Sequence, residues 1–249
     1  MADQVKHQQD GPDFQLETAA LNSRLDLFAP TTMPIILGFD EAGRGPWAGP
    51  VTAAAAWINP DAVEKLPTGL NDSKKLTRIK RTQLFADLKK LAEDGDVFRC
   101  AVVSIDAEEI DQRGILPSTF HAMDMAALAL MAASSFGQDD QLHMLVDGNL
   151  APSFDQVRAR QNHPIAITPV VKGDGRSLSI AAASIMAKET RDMLMEQLDL
   201  EFPNYGWASN MGYGTKDHQA ALAKQGPTQH HRLTFKPVAA AAAKFGYTR

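Results

Sequence analysis

Asp40, Glu41, Asp147 and Asp174 are the residues of this sequence whose type and placement point most directly to chemistry. Each lies at or just past the end of a short apolar run: Ile35 to Phe39, Leu142 to Val146, and Ile165 to Val171. Loops from different strands converge beyond strand ends, so a central Ile35 strand would bring the acids into one small volume. Carboxylates crowded in this way raise one another's pKa values or need a cation to hold them ionised. An oxygen-only donor set without histidine favours a hard ion, Mg2+ or Mn2+. The corresponding reaction is two-metal phosphodiester hydrolysis, with ions about 3.5–4 Å apart, one generating hydroxide and one stabilising the leaving oxygen. A structural reading competes. Asp147-Gly148-Asn149 is also a turn signal, and Asp174-Gly175 also suits a helix cap. For a single acid that reading weighs at least as much, and only the recurrence at three strand ends brings the two level.

The elements that would position these acids follow from patterning. The apolar run from Ile35 and the run Val51 to Ile58 read as two strands joined by a segment rich in glycine and proline. Asn71-Asp72-Ser73 precedes Lys74 to Glu93, where Leu76, Ile79, Leu84, Leu88 and Leu91 recur at helical spacing, so a capped amphipathic helix is expected. Asp96 to Ile105 reads as a strand, and Ser118 to Phe136 as a buried helix. Ser177 to Leu200 reads as a long helix whose Ala181, Ala182, Ala183 and Ser184 permit close packing. A further helix is expected over Thr215 to Lys224, followed by a basic tail. Grouped strands followed by alternating strands and helices predict an α/β fold: a central mixed sheet flanked by helices, with a small C-terminal helical region. The expected division is a flexible extension over 1–33, a catalytic domain over 34–200, and a helix and loop region over 201–249 that completes the substrate site.

The bulk properties bound the function. A chain of 249 residues, 44% hydrophobic, can bury a sizeable core. Its net charge of -5 is not that of a protein coating nucleic acid nonspecifically, although Lys74, Lys75, Arg78, Lys80 and Arg81 cluster, as do His230, His231, Arg232 and Lys236. Such clusters, taken alone, read as solvated faces. The single cysteine, Cys100, forms no internal disulfide, which fits a reducing cytoplasm, and its strand setting suits a buried structural thiol. The first 34 residues carry no apolar signal region, and Met125 to Ala133 is too short to span a bilayer, so no membrane role is expected. Gly43 to Gly49 has the wrong spacing for a dinucleotide fingerprint, and no phosphate-binding P-loop motif is present. His230 and His231 read as surface residues, Ser184 as a packing residue, and the methionines as core filler.

Asp40-Glu41-Ala42-Gly43-Arg44-Gly45-Pro46 with Ala48-Gly49-Pro50-Val51 resembles the signature segment of type 2 ribonuclease H, the bacterial ribonuclease HII family. Asn71 to Leu76, Val146 to Asn149, Val171 to Asp174, Ala182 to Lys188, Phe202 to Gly206, Gly212 to Thr215 and His230 to Arg232 resemble that family's blocks in order. The resemblance implies a ribonuclease H-like fold. It also implies hydrolysis of the RNA strand of RNA/DNA hybrids and incision 5' to a single ribonucleotide in duplex DNA, leaving 3'-hydroxyl and 5'-phosphate ends. By the same resemblance Asp40, Glu41, Asp147 and Asp174 are the metal-binding carboxylates, and Gly43, Arg44 and Gly45 bring main-chain polar groups against the ribose 2'-OH. Tyr213 corresponds to a tyrosine that packs on the neighbouring sugar, and Ser73, Lys74, Arg232 and Lys236 are candidate phosphate contacts. The expected partners are RNA/DNA hybrids and ribonucleotide-containing DNA duplexes, bound by a cytoplasmic monomer. Trp47 and Glu189 depart from the family pattern, Trp47 from a smaller aliphatic and Glu189 from an aliphatic or neutral polar residue. A different nuclease or recombinase on the same fold, or a noncatalytic hybrid-binding module, are the rival readings.

Overall fold

β1 (Ile35–Ala42) forms the middle of the sheet because its apolar side chains are needed on both faces. The computed structural model describes residues 11–23 and 33–249. In chain order these form α1 (Gln15–Asn22), β1, β2 (Val51–Ile58), α2 (Arg78–Asp94), β3 (Phe98–Ile105), α3 (Ala107–Arg113), α4 (Ile115–Ala132), β4 (Leu142–Asp147), α5 (Asp155–Arg158), β5 (Ala166–Val170), α6 (Leu178–Glu201), α7 (Trp207–Asn210), α8 (Lys216–Gln225) and α9 (Lys236–Phe245). The sheet order is β3-β2-β1-β4-β5. β1 pairs antiparallel with β2 and parallel with β4, and β4 pairs parallel with β5, so the sheet is mixed as expected.

Alternation along the strands assigns each face. Leu37 and Phe39 of β1, Ala53 and Ala55 of β2, and Met144 and Val146 of β4 pack with α4 residues such as Met123 and Leu130. Ala54 and Ala56 face the other way, against Ala181 to Ala183 of α6. Each large apolar side chain fully removed from water on these faces contributes about 1.5–3 kcal/mol. α4 is long and apolar enough by length and composition to cross a membrane, unlike the shorter stretch read from the sequence. Its buried residues instead pack on the sheet.

Three expectations change. α2 begins at Arg78 and not at Lys74, because the Thr77 hydroxyl accepts from Lys80 N–H and caps it there. That leaves Asn71 to Lys75 as a turn. The tail is helical: Pro237 sits at the first helical positions of α9, and its alanine run favours helix. The extension is docked where it is described, since Phe14 packs with the α6-side core and Ala20 with Ile36, Leu145 and Ile180. The rest of the expected loose extension, residues 1–10 and 24–32, lies outside the described residues.

Candidate active site

Phe39 and Val146 are the last paired residues of β1 and β4. The next position on each strand is an acid, Asp40 and Asp147, and both project toward α6 by the alternation above. Val170 is the register partner of Asp147, and the chain turns from there through a 3-10 segment, Gly173–Gly175, that carries Asp174 into α6. The acids expected from the sequence therefore do meet, at neighbouring ends of β1 and β4 and the turn after β5.

Their electrostatics reflect that crowding. Burial raises the Asp40 pKa well above the ordinary carboxylate value, and Glu41 and Asp147 push it further. The Ser184 hydroxyl beside it and the Glu41 N–H, 2.7 Å from Asp40 Oδ1, partly offset this. Burial also raises Glu41, opposed by Arg44, whose Nη1 lies 3.3 Å from Glu41 Oε1. Asp174 is pushed up to about 6 by burial and by repulsion from Asp147 and Asp72. Burial works against the Lys74 ammonium, yet Asp40, Asp174, Asp72 and Asp147 together raise its pKa. The net local field is negative, and it acts on a lysine at the rim.

No three His, Cys, Asp or Glu side chains among the described residues already converge on a single ligating point. Two of the acids have local partners instead: Asp147 Oδ1 accepts from Gly173 N–H at 2.7 Å, and Glu41 leans to Arg44. The donor chemistry still fits a hard dication, because the groups are carboxylate oxygens whose raised pKa values a nearby double positive charge would reverse.

Beside the acids is a cleft of about 260 Å³ lined by Glu41, Gly43, Arg44, Gly45, Ser73, Lys74, Lys188, Arg191 and Tyr213. A roomier depression of about 490 Å³ lies between Trp47, α8 and α9, but it contains no carboxylate, so chemistry and not volume selects the site. Gly43 has φ of +95°, and a Cβ there would lie 2.0 Å from Arg191 Nε, so only glycine fits. Tyr213 is about half exposed, at 48%, on the cleft wall near Gly45. Ser73 is buried, its hydroxyl accepting from Ser184 at 2.9 Å.

Arg232 is placed differently from the sequence expectation. It is fully buried, and its guanidinium donates to the carbonyl oxygens of Gly43, Arg44 and Gly49. It cannot reach a phosphate at the surface and instead fixes the glycine-rich loop from beneath. Arg191 does the same through the carbonyls of Pro50, Ala48 and Met211. Lys236 stays exposed at the start of α9. His231 is also fully buried, contrary to the surface reading. Its Nε2–H donates to His218 Nε2, 3.0 Å away, while its Nδ1 accepts from Thr228 N–H. His218 Nε2 also accepts from Trp207, and Nδ1–H donates to the Tyr213 carbonyl at 2.9 Å. Two further residues were missed: Ser184, which stands beside Asp40 and donates to Ser73, and Asp72, which stands beside Asp174. Short polar residues of this kind look like packing and turn residues until the fold brings the acids to them.

A mixed five-stranded sheet bearing acids at the ends of adjacent parallel strands defines the ribonuclease H-like class of α/β folds. The family model for Ribonuclease HII matches residues 37–238. The chain is 43% identical over 227 residues to a ribonuclease HII of Cereibacter sphaeroides, covering 91% of this chain and 92% of the relative. It is 44% identical over 228 residues to one of Magnetococcus marinus, covering 92% and 94%. Among solved structures, ribonuclease H2 of Pyrococcus horikoshii OT3 superposes with a TM-score of 0.64 at 27% identity, over 86% of this chain and 100% of that one. The chain belongs to the ribonuclease HII family. It is a ribonuclease H, a divalent-metal-dependent hydrolase that cleaves the RNA strand of RNA/DNA hybrids endonucleolytically.

Proposed function

We propose that the enzyme also incises duplex DNA on the 5' side of a single embedded ribonucleotide, using two Mg2+ or Mn2+ ions held among Asp40, Glu41, Asp147 and Asp174. The observation that carries this reading is the glycine-rich loop: Arg232 and Arg191 pin its carbonyls from the buried side, leaving Gly43 to Gly45 on the cleft wall beside the acids. A rigid main chain at that place suits recognition of one ribose hydroxyl, because a hydrogen bond to the 2'-OH distinguishes RNA from DNA without reading a base. Bound metal would supply an activated water and stabilise the departing 3' oxygen, giving 3'-hydroxyl and 5'-phosphate ends. Asp40 and Asp147 supply negative charge from two adjacent strand ends, and Asp174 supplies it from the turn before α6. Lys74 and Lys188 line the cleft as positive groups for the phosphates that flank the cut. Tyr213 offers an exposed ring for the sugar beside the junction.

The deciding assay uses a labelled duplex with one internal ribonucleotide, incubated with Mg2+, with Mn2+ and with chelator. Metal-dependent incision 5' to the ribonucleotide supports the reading. Cleavage of an all-DNA duplex at a comparable rate overturns it.

A further inference from the structure

We infer that Glu17, on the amino-terminal helix, is a positioning residue for the carboxyl groups of Asp174 and Asp147. The inference rests on the metal-site reading proposed above. Glu17 is only 1% exposed, on a helix that otherwise turns Phe14, Leu16, Ala20 and Leu21 toward the protein. Its Oε1 accepts from Ser177 Oγ at 2.5 Å, from Ser179 N–H at 2.9 Å and from Ser179 Oγ at 2.7 Å. The main chain is tied at the same place, with Leu178 N–H donating to the Asp13 carbonyl at 3.1 Å and Asp13 bridging Ser177.

From those residues the bonds run through Gly173 to Asp147. Ser177 N–H donates to the Gly173 carbonyl at 2.8 Å, and Gly173 N–H donates to Asp147 Oδ1 at 2.7 Å. Asp174 sits between Gly173 and Ser177, inside the loop that these bonds close. On its other side α6 is locked to the sheet, because a Cβ at Gly38 would lie 2.4 Å from the Ser179 carbonyl carbon, two residues before Asp40. The start of α6 is therefore clamped between β1 and Glu17.

A buried carboxyl group is a poor device for stability alone, since an apolar side chain of similar size fills the same space without the desolvation cost. What Oε1 adds is a fixed point of three hydrogen bonds. Asp147 and Asp72 crowd Asp174 with like charge, so the position of its turn has to be fixed by other contacts. Anchoring Ser177 and Ser179 fixes the turn that carries Asp174 beside Asp147.

The test compares the full-length chain with Glu17→Ala and Glu17→Gln by Mn2+ titration calorimetry without substrate, and by hybrid binding in chelator. Glu17→Ala is expected to weaken Mn2+ binding about tenfold, as loss of a group that orients metal ligands does, and to raise the half-saturating Mg2+ for cleavage similarly. Hybrid affinity should change by less than about twofold, since no phosphate contact is removed. Glu17→Gln keeps an acceptor at Oε1 and should restore most of the Mn2+ affinity. A Glu17→Ala protein that melts earlier yet binds Mn2+ as wild type does would reduce Glu17 to packing and end the inference. Should Glu17→Ala not fold, Ser179→Ala removes one bond to Oε1 and leaves a smaller side chain against Gly38. A Ser179→Ala protein with weakened Mn2+ binding supports the inference, and one with unchanged binding overturns it. Failure of the wild-type chain itself to bind Mn2+ and cleave would count instead against the proposed metal site.

Discussion

Arg232 Nη2 lies 2.6 Å from the carbonyl oxygen of Gly43, joining residues 189 positions apart. The same guanidinium bonds the Arg44 and Gly49 carbonyls, so the loop that faces the cleft takes its shape from the far end of the chain. Lysine cannot reproduce this, because an ammonium lacks the planar fork. Arg232→Lys should lower stability by roughly 2–4 kcal/mol, from buried carbonyls left without donors. Single-ribonucleotide incision should fall more than hybrid binding. Urea unfolding together with the cleavage assay checks both, and a variant with normal incision would mean that the loop holds its shape without this anchor.

The acids contribute to function at the expense of the fold. Burial and the neighbouring Glu41 and Asp147 raise Asp40. A carboxyl raised in the folded state contributes stability below its unfolded pKa and loses it as pH rises through the folded value, so at neutral pH this cluster is destabilising. Asp40→Asn removes one charge and keeps an oxygen for the Glu41 N–H. Cleavage should fall by at least about 10³-fold, because several kcal/mol of metal-borne transition-state stabilisation are lost. The melting temperature without metal should rise. Calorimetry at pH 7.5 with and without Mg2+ separates the two effects, and wild-type activity would refute the assignment of Asp40.

The acids were legible in the sequence because each signal is local: an apolar run that ends on a carboxylate, as Val146 does on Asp147. The central sheet was legible for the same reason. What stayed hidden depends on partners distant in sequence. Arg232 and His231 look like a solvated basic tail until the carbonyls of Gly43 and Gly49 and the ring of His218 close around them. Glu17 sits in a polar-rich stretch, and its acceptor role exists only once Ser177 and Ser179 are brought to it. Asn71 to Ser73 resembled a helix cap, but Thr77 takes that place, and Ser73 and Lys74 line the cleft instead.

Glu189 forms a buried ion pair with Arg81 and also accepts from Thr82 Oγ1 at 2.8 Å. Arg81 in turn bonds Asp192 and the Ser73 carbonyl. Removing one member leaves the arginine buried with a single acid. Glu189→Ala should therefore cost about 3 kcal/mol, the lower end for broken buried pairs. It should also raise KM for hybrid more than it lowers kcat, since Ser73 and Lys74 sit on the cleft wall. Chemical unfolding and steady-state kinetics provide the check. Unchanged stability would show that Asp192 alone satisfies Arg81.

Tyr213 presents a half-exposed ring beside Gly45 while its carbonyl is held by His218. The backbone is thus fixed independently of the ring, and truncating the side chain should leave the loop in place. Tyr213→Ala should slow single-ribonucleotide incision about 10–100-fold, the usual worth of an aromatic platform on nucleic acid. Tyr213→Phe should keep most of the rate. Equal rates for wild type and Tyr213→Ala would remove the ring from substrate recognition.

The paired imidazoles make a pH prediction that is separate from the acids. His231 is pulled down to about 3 by burial and then by His218, His230 and Arg249, and burial also lowers His218. Their hydrogen bonds require both rings neutral: His231 Nδ1 and His218 Nε2 are acceptors. In the unfolded chain His231 takes up a proton near pH 6.5, whereas in the fold it resists until far lower. The unfolded state therefore binds more protons at His231 across that window, and the contribution of this pair to stability falls as pH drops from about 6.5 toward 3. For His231 the loss is on the order of 4 kcal/mol over the window, at about 1.4 kcal/mol per unit. Urea unfolding at pH 7.5, 6, 5 and 4 should show this decline. His231→Gln has no proton to take up, so it should be less stable at pH 7.5 yet show a shallower fall. Parallel pH curves for the two proteins would mean that the acid sensitivity lies outside the His218–His231 pair.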